Sequence, residues 1–183
     1  MKTYKPTTPS KRHQTTVSYR NVLTKSEPTK SLTKGFKRSV GRNNHGRITT
    51  RHKGGGHKRL YRDIDFMYNK HDIPAKITSI EYDPNRNAFI ALAVYADGEK
   101  RYVIVAKSVK VGDKFIVGEK APLSIGNRLP LKMIPVGTFV YNVEIKPGNG
   151  AKLARGAGVF AQVVANDGGY TNIKMPSTEV RKI

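Results

Sequence analysis

Cysteine is absent from the 183 residues, which excludes a disulfide framework, a thiolate metal site and a cysteine nucleophile. No apolar run approaches the roughly 18 residues that span a bilayer, and the N-terminus lacks the apolar core of a secretory signal. Acids are scarce in one stretch above all, since residues 1–62 hold the single carboxylate Glu27. A sustained helical period is missing too, so no long helix is expected. These absences predict a soluble chain, compatible with a reducing compartment, with neither cofactor nor membrane partner.

What the chain has instead is positive charge: 34 Lys and Arg stand against 13 Asp and Glu, a formal net charge of +21. That is far more than solubility requires and implies a polyanionic partner. Residues 1–62 supply 17 of the cations against one acid, and residues 63–183 supply 17 against 12 acids. The first third also has few branched aliphatics, too little apolar surface to fold alone. Residues 1–73 are therefore read as a basic arm that orders on its partner. The same composition fits an organellar transit peptide, but Pro6, Pro9 and Pro28 interrupt the amphipathic helix it would need. A membrane-surface protein held by charge would also need such a helix with an apolar face. The arm has none.

Beyond Pro74 the pattern changes to short β-rich runs separated by turn residues, which predicts small barrels or a sandwich. Candidate strands are residues 76–82, 88–95, 101–106, 114–117, 138–145, 159–165 and 171–175. In the fifth, Tyr141, Val143 and Ile145 alternate with Asn142 and Glu144, as a half-buried strand should. Asp97-Gly98 is a hairpin signal of the type I′ kind, which needs positive φ at both positions. Pro147-Gly148-Asn149-Gly150 and Asp167-Gly168-Gly169 punctuate the later part, and one helical turn is expected near Ala151 to Arg155. A break from Gly126 to Pro135 divides this region into pieces at 74–125 and 126–183. The expected class is mainly β, with two barrels in tandem behind an extended basic arm.

The densest motif is Arg51-His52-Lys53-Gly54-Gly55-Gly56-His57-Lys58-Arg59-Leu60-Tyr61-Arg62. Consecutive glycines let a backbone approach a ligand closely and adopt φ values closed to other residues. The flanking cations neutralise phosphates, while Arg, His and Tyr can stack on unpaired bases. Upstream, Arg42, Asn43, Asn44 and Arg47 extend the surface with amides suited to base edges and 2′-hydroxyls. Gly41 and Gly46 have P-loop spacing, but Arg47 and Ile48 stand where that loop needs Lys and a hydroxyl, so nucleotide hydrolysis is not expected. The histidines lie mostly among cations and offer no usual zinc spacing. Glu81, Asp83, Asp97 and Glu99 fall beside turns, where acids cap backbone or pair with cations, as Asp83 could with Arg86. No catalytic constellation is suggested. Arg86, after Asp83-Pro84-Asn85, and Arg155, among Ala154, Gly156, Ala157 and Gly158, are placed for planar phosphate or base contacts; a solvated arginine or a local ion pair is the alternative for each. A single-strand binder of the OB type is a further alternative, with Tyr82, Phe89 and Tyr95 as its stacking platforms.

Five ordered runs carry a family resemblance: Gly41-Arg42-Asn43-Asn44-His45-Gly46-Arg47-Ile48-Thr49, residues 51–62, Ile80-Glu81-Tyr82-Asp83-Pro84-Asn85-Arg86, Asp97-Gly98-Glu99-Lys100-Arg101-Tyr102 and Gly126-Asn127-Arg128-Leu129-Pro130-Leu131. With Tyr4-Lys5-Pro6 before them, they resemble large-subunit ribosomal protein two. The resemblance implies an extended arm, an OB-like barrel and an SH3-like barrel docked on large-subunit rRNA. It implies roles in subunit assembly and subunit association near the peptidyl-transferase region, in a bacterial or organellar ribosome. Neighbouring ribosomal proteins and small-subunit rRNA are the further partners implied. RNA contacts carry over to Arg42, Arg47, residues 51–62, Arg86 and Arg155. Three departures are expected to alter a contact or turn: Met67-Tyr68 replaces a basic pair, Tyr141 stands where His is common, and Thr178 interrupts Pro-Ser-Gly-Glu. The family also continues past the position of Ile183 with a Gly- and His-rich extension. A separate chain supplying that part, natural shortening and an incomplete sequence all stay open.

Overall fold

The structure, a computed structural model describing residues 1–35 and 37–183, is mainly β, with 31% strand and 7% helix. Prolines and cations leave the first sixty residues with only short pairings: β1 (Lys2–Thr3) with β2 (Thr15–Thr16), and β3 (Thr33–Gly35) with β4 (Leu60–Arg62). Pro9–Arg12 is the one α-helical turn among the described residues, opened by a proline whose fixed φ suits a first helical position.

The segment read as an arm divides in two. Residues 42–61 are exposed throughout. By contrast, Leu23, Leu32, Ile64, Phe66 and Tyr68 pack into the β core. Backbone and side-chain bonds fasten the same stretches, with Thr24 N donating to Ile80 O at 3.0 Å, Asp63 N to Leu32 O at 2.9 Å and Thr29 N to Tyr102 Oη at 2.8 Å. Few aliphatics are available there: Leu23, Leu32, Ile64 and Ile73 pack on the same sheet, while Val17, Val22, Ile48 and Leu60 stay exposed.

That sheet comprises β5 (Ala75–Glu81), β6 (Ile90–Tyr95), β7 (Lys100–Ile104) and β8 (Lys114–Phe115), antiparallel in the order β7-β6-β5-β8. Strand β6 reads as an unbroken apolar run because both its faces are covered. Ala91, Ala93 and Tyr95 join Ile77, Val103, Phe115 and Val117 in one cluster. Ile90 and Leu92 point the other way, onto Ile64, Tyr102 and Ile104, capped by Leu32, Phe66 and Tyr141. Each such Ile or Leu contributes roughly 1.5–3 kcal/mol by leaving water. A bulge between Ile77 and Ser79 curls the sheet.

The second sheet joins β9 (Phe139–Val140), β12 (Ala161–Asp167), β13 (Tyr170–Lys174) and β14 (Val180–Lys182), and a separate pair is made by β10 (Val143–Glu144) and β11 (Ala151–Leu153). Ile134, Val143, Ala161, Val163 and Ile173 form its core. Two curled sheets in tandem agree with the expected OB-like barrel followed by an SH3-like barrel.

Three local expectations fail. The strand at 138–145 is broken by Asn142, whose φ of 56° sends β9 and β10 into different sheets. Val143 is buried as expected, but Asn142 is buried too and Ile145 is exposed, so the expected alternation is lost. The turn near Ala151 is strand β11. At Asp97-Gly98 the hairpin forms, but only Gly98 has positive φ. Gly98 N donates to Tyr95 O and Tyr95 N to Glu99 O, so this is a three-residue loop with its last residue left-handed. A two-residue loop with positive φ at both positions occurs instead at Gly168-Gly169.

The turn at 175–179 repeats the Tyr95 loop bond for bond, with Thr178 N donating to Met175 O at 2.9 Å and Met175 N to Glu179 O at 2.8 Å. The left-handed position is filled by Thr178, at φ 70°. A β-branched residue there is strained by about 1–2 kcal/mol, more than the entropy glycine would lose. Thr178→Gly is therefore expected to stabilise the protein by about 1 kcal/mol, raising Tm by about 3 °C in a thermal melt. An unchanged or lower Tm would refute the strain.

Candidate nucleic-acid interface

Gly41 closes the loop that the P-loop spacing suggested. Its φ is 70°, and a Cβ there would lie 2.3 Å from Thr50 O, so only glycine fits. Gly41 O accepts Thr49 N, Arg42 bridges Ile48, and Asn43 Oδ1 accepts Arg47 N at 2.9 Å. The result is a tight basic hairpin with no strand feeding a helix, unlike a nucleotide-binding loop. Arg42 turns back on it, donating Nη1 to Val40 O and Lys53 O. Asn44, Arg47, Arg51, His52, Lys53, His57 and Lys58 lie exposed around it. Gly54, Gly55 and Gly56 all have positive φ, at 144°, 59° and 85°. Among the described residues no His, Asp or Glu cluster could hold a metal.

At β4 the chain alternates. Tyr61 faces outward and Arg62 inward; Arg62 is 8% exposed, bonds Leu60 O through Nη1 and leaves Nε unpartnered. Arg62 thus points into the protein, apart from the exposed cations of the run to which the sequence assigns it. Arg59 donates Nη1 to Pro84 O at 2.7 Å, tying the glycine-rich segment to the turn after β5. Arg38, Arg59, Tyr61, Asn85 and Arg86 line an open cleft of about 570 Å³. Three guanidinium groups converge there.

Arg86 makes the local ion pair that was one alternative for it. Its Nε donates to Asp83 Oδ2 at 2.6 Å, and Asp83, fully buried, also accepts Asn85 N at 2.9 Å. The pair fixes one edge of the guanidinium, whose centre stands 5.7 Å from the ring of Phe66. Arg155 stands 4.7 Å from that same ring. Phe66 O in turn accepts Ala151 N at 2.9 Å, bonding it to β11 of the second unit. The arginines from two barrels therefore share one aromatic ring, a favourable cation–π arrangement. Ala154, immediately before Arg155, has φ 51°, and Tyr68 and Asn142 are likewise left-handed. Such backbone strain concentrates where a side chain must be aimed.

The joint also explains one departure. Tyr68 is buried, with its hydroxyl accepting Asn142 Nδ2 at 3.2 Å and Arg128 4.5 Å from its ring. It cements the two units and does not face a partner, whereas Met67 is exposed. Tyr141 packs on the same joint.

Asp65, Asp97 and Glu99 are tied up in ion pairs. Lys70 pairs with Asp97 and Glu99, and Arg101 with Glu99 and Asp65, both cations lying over the Tyr95 ring. The Lys70 ammonium holds Asp97 below its usual range, and Arg101 followed by Lys70 does so for Glu99. Burial pushes Tyr95 up to about 12 and raises Tyr68, Tyr102 and Tyr141 above the ordinary 10. Unfolded tyrosines ionise near 10, so this contribution to stability is complete below that pH and is lost as pH climbs through the folded values. An ultraviolet phenolate titration should show these four ionising late, together with loss of structure. Ionisation of all nine tyrosines in one early step, with the fold intact, would contradict it.

Arg38, Asn85 and Phe66 are not among the contacts expected from sequence. Arg38 is one cation among many, and nothing local marks it; Phe66 becomes visible only through residues far away in sequence.

Two family models match the chain. Residues 29–117 match the description "Ribosomal Proteins L2, RNA binding N-terminal domain", and residues 124–183 match "Ribosomal Proteins L2, C-terminal domain". The chain belongs to the ribosomal protein L2 family, structural RNA-binding proteins of the large ribosomal subunit.

Proposed function

We propose that the chain docks on large-subunit rRNA at a composite site where the cleft of Arg38, Arg59, Tyr61, Asn85 and Arg86 adjoins Arg155. The observation that carries this is the convergence of Arg86 and Arg155 on Phe66. Two forked guanidiniums held by one ring are pre-oriented for planar, bidentate contacts with phosphate or base, so little conformational freedom is lost on binding. The exposed loop of Asn44, Arg47, Arg51, His52, Lys53, His57 and Lys58 supplies affinity by displacing condensed counterions. Residues 1–73 act as the RNA-engaging arm, with 74–125 and 126–183 as the two barrels fixing its register.

On this reading the chain supports subunit assembly and subunit association near the peptidyl-transferase region, in a bacterial or organellar ribosome. Neighbouring ribosomal proteins, small-subunit rRNA at the subunit interface and a separate chain carrying the Gly- and His-rich extension are the further partners it invokes. The test is competition binding to transcribed large-subunit rRNA fragments against excess tRNA and duplex DNA across a salt series. A fragment whose binding survives both competitors is the expected result. Equal competition by all three polymers would reduce the chain to a non-specific polycation.

A further inference from the structure

We propose that Tyr19 and Tyr82 form a stacking platform for an unpaired RNA base, separate from the arginine pair at Phe66. Strand β5 ends at Glu81, whose buried carboxylate accepts Ser79 Oγ at 2.8 Å and Tyr102 Oη at 2.5 Å. With Glu81 inward, the pleat turns Tyr82 outward, and 43% of it is exposed. Tyr19 is carried alongside by its own packing: Leu23 N donates to Tyr19 O, Leu23 enters the core, and Thr24 N bonds Ile80 O. The ring centroids of Tyr19 and Tyr82 are 5.3 Å apart at 36°, and Phe89 stands edge-on to Tyr19 at 5.8 Å. Tyr19 itself is 50% exposed. Tyr19 is thus packed against Tyr82 and, edge-on, against Phe89, and both tyrosine rings stay half-exposed.

The inference rests on the RNA-docking reading, and the surroundings favour a nucleotide as occupant. Within six residues of either tyrosine the only acids are Glu81 and Asp83, both buried, while Arg20 and Lys25 flank Tyr19. The turn that begins at Tyr82 ends at Arg86 in the cleft, at most about 14 Å of extended chain away. One RNA strand could therefore set a phosphate in the cleft and a base on the rings. Of the three platform residues expected from sequence, Tyr82 and Phe89 belong to this cluster and Tyr95 is buried in the core.

The full-length chain would be tested with Tyr82→Phe, Tyr82→Leu and Tyr19→Leu/Tyr82→Leu, using the rRNA fragment that wild type prefers. Phenylalanine keeps the π face and should leave affinity within about twofold. The double leucine variant should bind roughly tenfold more weakly with an unchanged salt slope, since stacking disappears while every phosphate-binding cation remains. Wild type irradiated with the 5-iodouridine-substituted fragment should cross-link at Tyr19 or Tyr82, which tests the platform even if a leucine variant fails to fold. Wild-type affinity in the double leucine variant, or cross-links confined to other residues, would overturn the platform while leaving fragment preference intact. Weakening by phenylalanine equal to that by leucine would also overturn it, in favour of a hydroxyl contact. Absence of any preferred fragment would instead bring down the docking reading itself, and the platform with it.

Discussion

Changing both Arg86 and Arg155 to alanine is expected to weaken binding to the preferred rRNA fragment by about 100-fold, while binding to duplex DNA barely changes. The asymmetry follows from where the charge lies. Only two of 34 basic residues are removed, and the exposed loop at 42–61 that supplies non-specific attraction is untouched. A well-placed arginine contributes about 1–3 kcal/mol of discrimination, and removing a cation that neutralises a phosphate should lower the salt slope by about one. Because both guanidiniums rest on Phe66, they should not act independently. Each single variant is expected to show more than half of the logarithmic loss, a coupling that a double-mutant cycle would read directly. Phe66→Leu alters no charge and should still erode the preference. Fragment selectivity equal to wild type in the double variant would remove the barrels from the docking mechanism.

How far this could be read from the sequence depends on the range of the forces involved. Strands β5, β6, β7 and β13 were legible because apolar residues and turn residues mark a strand locally. The break at Asn142 was not, since a left-handed asparagine leaves no signal beyond the residue type. The run at 51–62 reads as one basic surface because nothing within it marks a strand. Once β4 exists, the pleat must put neighbours on opposite faces, and Arg62 goes inward while Tyr61 stays out. Arg86 and Arg155 could each be singled out from their small or turn-forming neighbours. Their meeting on Phe66 could not, because it depends on β11 bonding to a residue more than eighty positions earlier. Likewise the aliphatics of the arm look too few to fold, which holds for the segment alone but not for the segment lying on the β6 face.

Asp83→Ala should cost about 3 kcal/mol of stability and, against the sign expected from charge alone, weaken RNA binding. The carboxylate is completely buried and accepts from Arg86 Nε, Asn85 N and Asn85 Nδ2. Removing one member of a buried pair typically costs about 3–5 kcal/mol when the other charge is stranded. Here Arg86 retains 20% side-chain exposure and can reach water, which sets the estimate at the low end. Asp83→Asn keeps the size of the side chain and one acceptor oxygen, so it should lose less, about 1–2 kcal/mol; denaturant titration separates the two. The RNA measurement is the sharper one. Deleting a negative charge beside a polyanion would tighten binding if electrostatics at a distance were all that mattered. If Asp83 instead holds the turn that aims Arg86, the alanine variant should bind the preferred fragment about tenfold more weakly under conditions where it remains folded. Tighter binding would show that Arg86 needs no such support and acts only as a point charge.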